Sequence, residues 1–217
     1  MPLFNSCLFS SFKASTWNTR GHAIVTDRMI RLTTDGKSQR GAVFSTKPTY
    51  LPHWEVHMEF KVYSSTNTRL GGDGFAFWLI KQHEQGTAFG SKETFKGLAI
   101  VFDTYKNNQD DNQSVPFVGA IVNNGTLRYN HDLDGIDIMN AKCSILFRNK
   151  AAKFIIRYQD ETLFVTYDIS ETDKYSECFT LHNLILPTSY YFGLSAATGD
   201  LHGKRLLCLD LFGYRRS

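Results

Sequence analysis

An all-β fold arranged as a jelly-roll-type double sheet is predicted for this chain of 217 residues, on three observations. Short apolar runs recur along it, separated by Gly, Asn and Asp in turn-forming combinations. No apolar period of 3.6 residues persists over a helical length. Many strands without alternating helices mean an antiparallel sandwich or barrel, and 217 residues are too many for an immunoglobulin domain of about 100.

Each element has its own warrant. Between His53 and Tyr63, Trp54, Val56, Met58, Phe60 and Val62 alternate with His53, Glu55, His57, Glu59 and Lys61, the period of a half-buried strand. Gly74 to Ile80, Gly97 to Phe102 and Val118 to Val122 are continuous apolar runs bounded by Gly, Asn or charged residues, which suits buried strands. Phe154 to Tyr158 and Leu163 to Tyr167 flank Gln159-Asp160-Glu161 as the arms of a hairpin. Tyr190 to Ala196 and Leu206 to Phe212 close the chain as two more strands. Thr34-Asp35-Gly36, Asn123-Asn124-Gly125, Asp134-Gly135 and Thr198-Gly199-Asp200 supply turns. Neither repeat nor linker marks a second domain.

Composition narrows the function classes. Apolar residues make up 42% and glycines number 16, enough for a packed core. With 24 Lys and Arg against 21 Asp and Glu, the net charge is +3 and no basic stripe is concentrated anywhere. This excludes nucleic acid as the main partner. No run approaches the roughly 18 apolar residues of a spanning helix. The start of the chain carries Leu3, Phe4, Leu8, Phe9 and Phe12 but no basic region ahead of them and no clean cleavage site, so a signal peptide is weak or absent. Cys7, Cys143, Cys178 and Cys208 form no CxxC pair, which favours a disulfide, and with it an oxidising compartment, over a zinc knuckle.

Three polar loops hold the candidate chemistry. Asp103-Thr104-Tyr105-Lys106-Asn107 leaves a strand and enters a segment rich in Asn and Asp. In extended backbone Asp103 and Asn107 face one side with a carbonyl between them, a set of hard oxygens suited to calcium; a loop of Asx turns is the alternative. Tyr129-Asn130-His131-Asp132-Leu133-Asp134-Gly135 sets one histidine among carboxylates, as a solvated turn or as a source of a further ligand. Gly71-Gly72-Asp73-Gly74 lets backbone approach a ligand beside a carboxylate able to accept two hydroxyls, or is simply a strand entry. Glu55, His57 and Glu59 share one strand face; a glycosidase pair is geometrically open to them, but a solvated face explains them as well. No Gly-x-Ser-x-Gly, HExxH, Walker or Rossmann motif occurs, and nothing supports a nucleophile.

Taken together, Gly-Asp-Gly-Phe-Ala-Phe-Trp (72–78), Ala-Phe-Gly-Ser-Lys (88–92), Gly-Leu-Ala-Ile-Val-Phe-Asp-Thr-Tyr (97–105), Val-Asn-Asn-Gly (122–125), Phe-Arg-Asn (147–149) and Tyr-Phe-Gly-Leu-Ser-Ala-Ala-Thr-Gly-Asp-Leu (191–201) closely resemble the animal legume-type lectins. The resemblance implies a concanavalin-like jelly-roll β-sandwich over residues 17–212, with 1–16 poorly matched and 213–217 a short basic tail. It implies calcium-dependent binding of high-mannose N-glycans on glycoprotein cargo in the lumen of the early secretory pathway or outside the cell, and no enzymatic activity. The alternative is a degenerate lectin-like domain that binds a protein without sugar.

Carried over residue by residue, the resemblance makes Asp103, the Tyr105 carbonyl, Asn107 and Asp134 the ligands of one Ca2+ ion. Asp73, Asn107, His131, Gly199, Asp200 and Leu201 become the carbohydrate contacts, with Asn107 shared between ion and sugar. It also implies a cis peptide before Asp73 and a disulfide between Cys143 and Cys178, leaving Cys7 and Cys208 over. Departures from the family pattern are Ala42 in place of a sugar-contacting serine, Lys106 at a ligand position of a second calcium site, and His202-Gly203-Lys204-Arg205 in place of an acidic turn. The stalk, membrane span and sorting tail of family members have no counterpart up to Ser217. Asn124-Gly125-Thr126 and Asn112-Gln113-Ser114 are N-glycosylation sequons.

Overall fold

The computed structural model describes residues 16–26, 29–63, 72–105, 107 and 116–199, together with the backbone of 204–214. These residues form two seven-stranded sheets in which every pairing is antiparallel. Numbered in chain order, the first sheet runs β1 (Trp17–Gly21), β4 (Arg40–Ser45), β14 (Tyr191–Ala197), β6 (Gly74–Ile80), β8 (Lys96–Asp103), β9 (Phe117–Asn124) and β10 (Ala141–Ser144). The second runs β13 (Ser176–Leu181), β12 (Thr162–Asp168), β11 (Ala151–Gln159), β5 (His53–Tyr63), β15 (Lys204–Tyr214), β3 (Ile30–Thr33) and β2 (Ile24–Val25). The short β7 (Gln85–Ala88) bridges to Ser91 outside both sheets. This is the double-sheet sandwich that the strand pattern predicts.

Alternation on β5 decides which way the second sheet faces. Trp54, Val56, Met58, Phe60 and Val62 are at most 4% exposed, while the residues between them remain half-buried. Phe60 sits at the centre of an aromatic cluster, with ring centroids of Phe75, Phe102, Phe154 and Phe147 at 4.8, 5.2, 5.4 and 5.5 Å. Phe75 and Phe102 come from the opposite sheet, so these rings join the two layers. Aromatic pairs of these kinds, three edge-to-face and Phe60–Phe154 stacked, contribute about 0.5–1.5 kcal/mol each beyond area burial.

The unbroken apolar runs of β6 and β8 reflect cover on both faces. Behind the first sheet a second cluster gathers Phe44, Trp78, Phe89, Phe95, Val101, Phe117 and Tyr129. Trp78 Nε1 donates to Ser195 Oγ at 2.8 Å, and that hydroxyl donates to the Phe89 carbonyl at 2.7 Å. A hydroxyl in this position satisfies two buried polar groups at once and fixes the loop after β7 against the sheet.

The β11–β12 hairpin turns through Asp160 and Glu161, both with positive φ, as a two-residue loop requires. Cys143 on β10 and Cys178 on β13 are bonded, with Cα atoms 5.5 Å apart. The bond joins the outer strands of the two sheets, as the resemblance implies. The Gly72–Asp73 peptide is cis. Cys7 lies outside the described residues, as does the side chain of Cys208. Among the described residues no helix is long and apolar enough to cross a membrane.

Candidate functional site

Strand register brings the first three site residues to one end of the first sheet. Gly74, the first residue of β6, pairs with Asp103 on one side and with Ala197 on the other. Asp73, the Asp103 loop and the Thr198-Gly199 segment are therefore neighbours, although about 30 and 125 residues separate them in the chain. The Asp73 carbonyl accepts both the backbone N–H and the hydroxyl of Thr104, each at 3.0 Å. A Cβ at Gly199 would lie 3.2 Å from Asp73 Oδ1; the absence of a side chain there lets the two segments approach this closely.

The loop after β9 supplies the fourth component. Tyr129 N–H donates to the Glu93 carbonyl at 3.1 Å, and Asn130 caps the 3-10 turn His131–Leu133 by accepting from Asp132 N–H at 3.0 Å. Asp134 and Gly135 then both adopt left-handed backbone, with φ of 53° and 66°. Gly135 has a second reason to be glycine, since a Cβ would stand 2.3 Å from the Tyr129 ring. This double turn carries Asp134 inward until it is 1% exposed.

Asp103 is 2% exposed and accepts Tyr105 N–H at 2.9 Å through Oδ1. Asp134 accepts the Asn107 backbone N–H at 3.2 Å and the Asn107 side-chain amide at 2.5 Å. The Asn107 amide nitrogen thus faces Asp134; a half turn about its last bond would present the oxygen instead. Tyr129 registers the gathered charge. Burial pushes its phenol well above the ordinary value, and Asp103, Asp134, Asp73 and Asp137 push it further in the same direction. Arg148 donates to the Thr104 carbonyl; burial pulls its guanidinium below the ordinary value, and Asp103 opposes that.

Asp73, Asp103, Tyr105, Asn107, Asp134 and Gly199 are accordingly gathered at one end of the sheet. His131 stands on the rim, its Nε2 2.8 Å from Thr87 Oγ1. Asp200, Leu201, Lys106, Asn112 and the turn at 202–203 lie outside the described residues. Among the described residues no three His, Cys, Asp or Glu side chains form a metal-ligand group. A cation here would rely on amide and carbonyl oxygens beside the two carboxylates, a donor set that suits a hard ion.

Two further positions flank this end of the sheet. Ala42 is 4% exposed inside β4, where it pairs with Ser195 and joins the cluster behind the sheet. Ser38 is the exposed serine beside the site, its N–H donating to the Gly199 carbonyl at 3.2 Å. Gln39 and Thr198 brace the same contact, with Gln39 N–H on Thr198 Oγ1 at 2.9 Å and Thr198 N–H on the Gln39 carbonyl at 2.9 Å. Glu55 and Glu59 are each engaged by a neighbour on their own sheet face. Glu55 is engaged by His57 at 2.5 Å, and Glu59 sits across from Lys153, its carboxyl raised by burial.

Comparison with known proteins gives a consistent result. A profile of the legume-like lectin family matches residues 6–209. The chain is 38% identical over 200 residues to dog vesicular integral-membrane protein VIP36, covering 90% of this chain and 56% of that one. Over 191 residues it is 37% identical to mouse ERGIC-53, covering 85% and 36%. The crystal structure of the VIP36 exoplasmic/lumenal domain in its Ca2+/Man2-bound form superposes with a TM-score of 0.91 at 34% identity, over 97% of this chain and 87% of that one. The legume lectin-like domain of Entamoeba histolytica, at 19% identity and a TM-score of 0.73, shares the fold.

Proposed function

This chain belongs to the legume-like lectin family, and from that premise and the loop geometry we propose that it is a calcium-dependent lectin for high-mannose N-glycans. The chain spans about half the length of the curated relatives it matches, 56% of VIP36. A lectin holds its sugar without altering it, and the chain is a binding protein, not an enzyme.

One observation carries the reading: Asp103 and Asp134, 2% and 1% exposed, converge on the Asn107 loop at the end of the sheet where Asp73 and Gly199 also lie. Burying ionised carboxylates costs several kcal/mol each unless charge and hydrogen bonds compensate. Bound calcium would add to the hydrogen bonds and to the Arg148 guanidinium that already face these carboxylates, and the site needs no Lewis-acid chemistry from it. Asp103, the Tyr105 carbonyl, Asn107 and Asp134 are the residues proposed to hold one ion. Asn107 then offers its oxygen to the metal side and its N–H2 to a sugar hydroxyl.

Asp73, His131, Gly199, Asp200 and Leu201 complete the proposed sugar contacts, and the backbone of Ser38 is held on the Gly199 carbonyl. A carboxylate such as Asp73 accepts from two adjacent hydroxyls, the arrangement that a hexose offers. VIP36 has been crystallised with Ca2+ and Man, Man2 and Man3GlcNAc, which supports mannose as the ligand class here. The Cys143–Cys178 bond suits an oxidising lumen. With relatives such as VIP36 and ERGIC-53, that supports glycoprotein cargo of the early secretory pathway as the partner. Asn124 is exposed at the end of β9 and is proposed as a glycan acceptor; Asn112, the other sequon asparagine, is proposed as a second acceptor from its sequence alone.

The test is glycan-array and calorimetric binding of the wild-type chain in calcium and in chelator. High-mannose binding in calcium that vanishes in chelator is expected. Equal binding in chelator, or no glycan binding at all, overturns the reading and leaves the protein-binding alternative. Protease protection in fractionated cells with intact membranes checks the lumenal location.

A further inference from the structure

Beside His131 opens a polar cleft of about 470 Å³, with Thr87, Glu93, Arg128, His131 and Asp132 in its walls. The hydrogen bonds across it run in one direction. Glu93 Oε1 accepts both the N–H of Thr87, at 2.8 Å, and the Thr87 hydroxyl. An ionised carboxylate only accepts, and Glu93 is held in that form. Burial works against ionisation, but the hydrogen bonds from Thr87 and the nearby Arg128 hold the carboxyl below its usual range.

A threonine hydroxyl has one proton to give. Since Thr87 gives it to Glu93, the contact between Thr87 Oγ1 and His131 Nε2 at 2.8 Å requires that Nε2 be the donor. A neutral imidazole carries one N–H, so Nδ1 is left as a bare acceptor. Among the described residues nothing donates to Nδ1. The Tyr129 ring, edge-on to the imidazole at 4.9 Å between centroids, holds the ring plane.

We propose that Glu93 and Thr87 are positioning residues that fix the Nε2–H tautomer of His131, so that His131 contributes to ligand binding as an acceptor for a sugar hydroxyl through Nδ1. The inference rests on the reading of His131 as a carbohydrate contact, but the tautomer itself can be measured without sugar. Specificity follows from the direction of the bond. At this point the ligand has to donate, so a sugar hydroxyl is selected, and a deoxy or O-alkylated position is not.

The experiment uses the calcium-loaded chain labelled with 15N-histidine, at pH 8, where imidazoles are ordinarily neutral. His131 is assigned by comparison with His131→Gln. Long-range 1H–15N spectra of the wild type should show a protonated Nε2 and a bare Nδ1. In Glu93→Leu the Thr87 hydroxyl is released to donate to Nε2, so the Nδ1–H tautomer should appear and mannose affinity should fall about three- to tenfold. Glu93→Gln, which keeps an accepting oxygen, should stay close to the wild type in both. A wild-type spectrum showing Nδ1–H overturns the proposal, whether or not the variants fold. Unchanged tautomer and affinity in Glu93→Leu overturn it as well. Absence of mannose binding in the wild type would refute the lectin reading, while the spectrum still reports on the Glu93–Thr87–His131 relay.

Discussion

Replacing Asn107 by alanine or by aspartate separates the support of the ion from the contact with sugar. In the structure Asn107 donates its backbone N–H and its amide to Asp134, at 3.2 and 2.5 Å, and Asp134 is 1% exposed. Alanine removes the amide from a buried charged acceptor, a loss of about 1.5–3 kcal/mol. For a domain of this size that lowers Tm by about 3–12 °C. Aspartate instead sets a second carboxylate beside Asp134. At about 4 Å and an effective dielectric of about 20, the repulsion is about 4 kcal/mol, partly relieved by proton uptake. In chelator, Asn107→Asp should therefore be the less stable of the two.

Calcium is expected to reverse the order. An ion at a hundred times its Kd adds about 2.7 kcal/mol, or about 5–11 °C, to the wild type. Asn107→Asp keeps a metal-binding oxygen and gains relief of its repulsion, so its calcium-induced shift should exceed that of the wild type. The shift of Asn107→Ala should fall well below it. Both variants lack the amide donor, and mannose affinity should drop about ten- to more than a hundredfold in each. Thermal scans in calcium and in chelator, with calorimetric titration of mannose, measure all of this. Wild-type mannose affinity in Asn107→Ala refutes the bridge between ion and sugar. A calcium shift in Asn107→Asp no larger than that in Asn107→Ala refutes the ligand role.

Two further outcomes concern stability. The Cys143–Cys178 bond closes a loop with a sequence separation of 35; in the chain-entropy picture the double Cys→Ala variant should unfold about 4 kcal/mol more easily in urea, and an unchanged midpoint would contradict the cross-sheet role. His83 stacks on Phe44 with centroids 3.7 Å apart, and its Nε2 is buried without a hydrogen-bond partner among the described residues. Burial, aided by Arg20, lowers its pKa from 6.5 to about 4. With the folded value depressed, the neutral ring favours folding above about pH 6.5, and that contribution is lost as pH falls toward 4. Relative to His83→Phe, which keeps the stack, the wild type should lose about 1–2 kcal/mol over this interval, a partial figure because the ring is partly exposed. Melting curves at pH 7.5, 5.5 and 4.5 that run parallel for the two proteins would exclude the effect.

The residues themselves determined the strands with strong local character. The alternation from His53 to Tyr63 appears as β5 with the same bounds, and the run from Gly74 to Ile80 appears as β6. Periodicity is a local property, so the chain alone reveals it. The short β1, β3, β4, β10 and β13 carry weaker patterns, and β1 and β10 remain largely exposed; they are strands because a neighbour supplies the hydrogen-bonding ladder. The site divides along the same line. The spacing of Asp103, Tyr105 and Asn107 shows a loop of hard oxygens, and Asp134-Gly135 shows a turn, but neither says that the two meet. That depends on register, which pairs Gly74 with both Asp103 and Ala197, and on the left-handed double turn that sends Asp134 inward. The places of Ala42 and Ser38 turn on the same point: the sheet buries Ala42 within β4 and leaves Ser38 beside Gly199. Which oxygen faces which partner is a long-range quantity, set by pairings between residues far apart in the chain, and only the folded sheet specifies them.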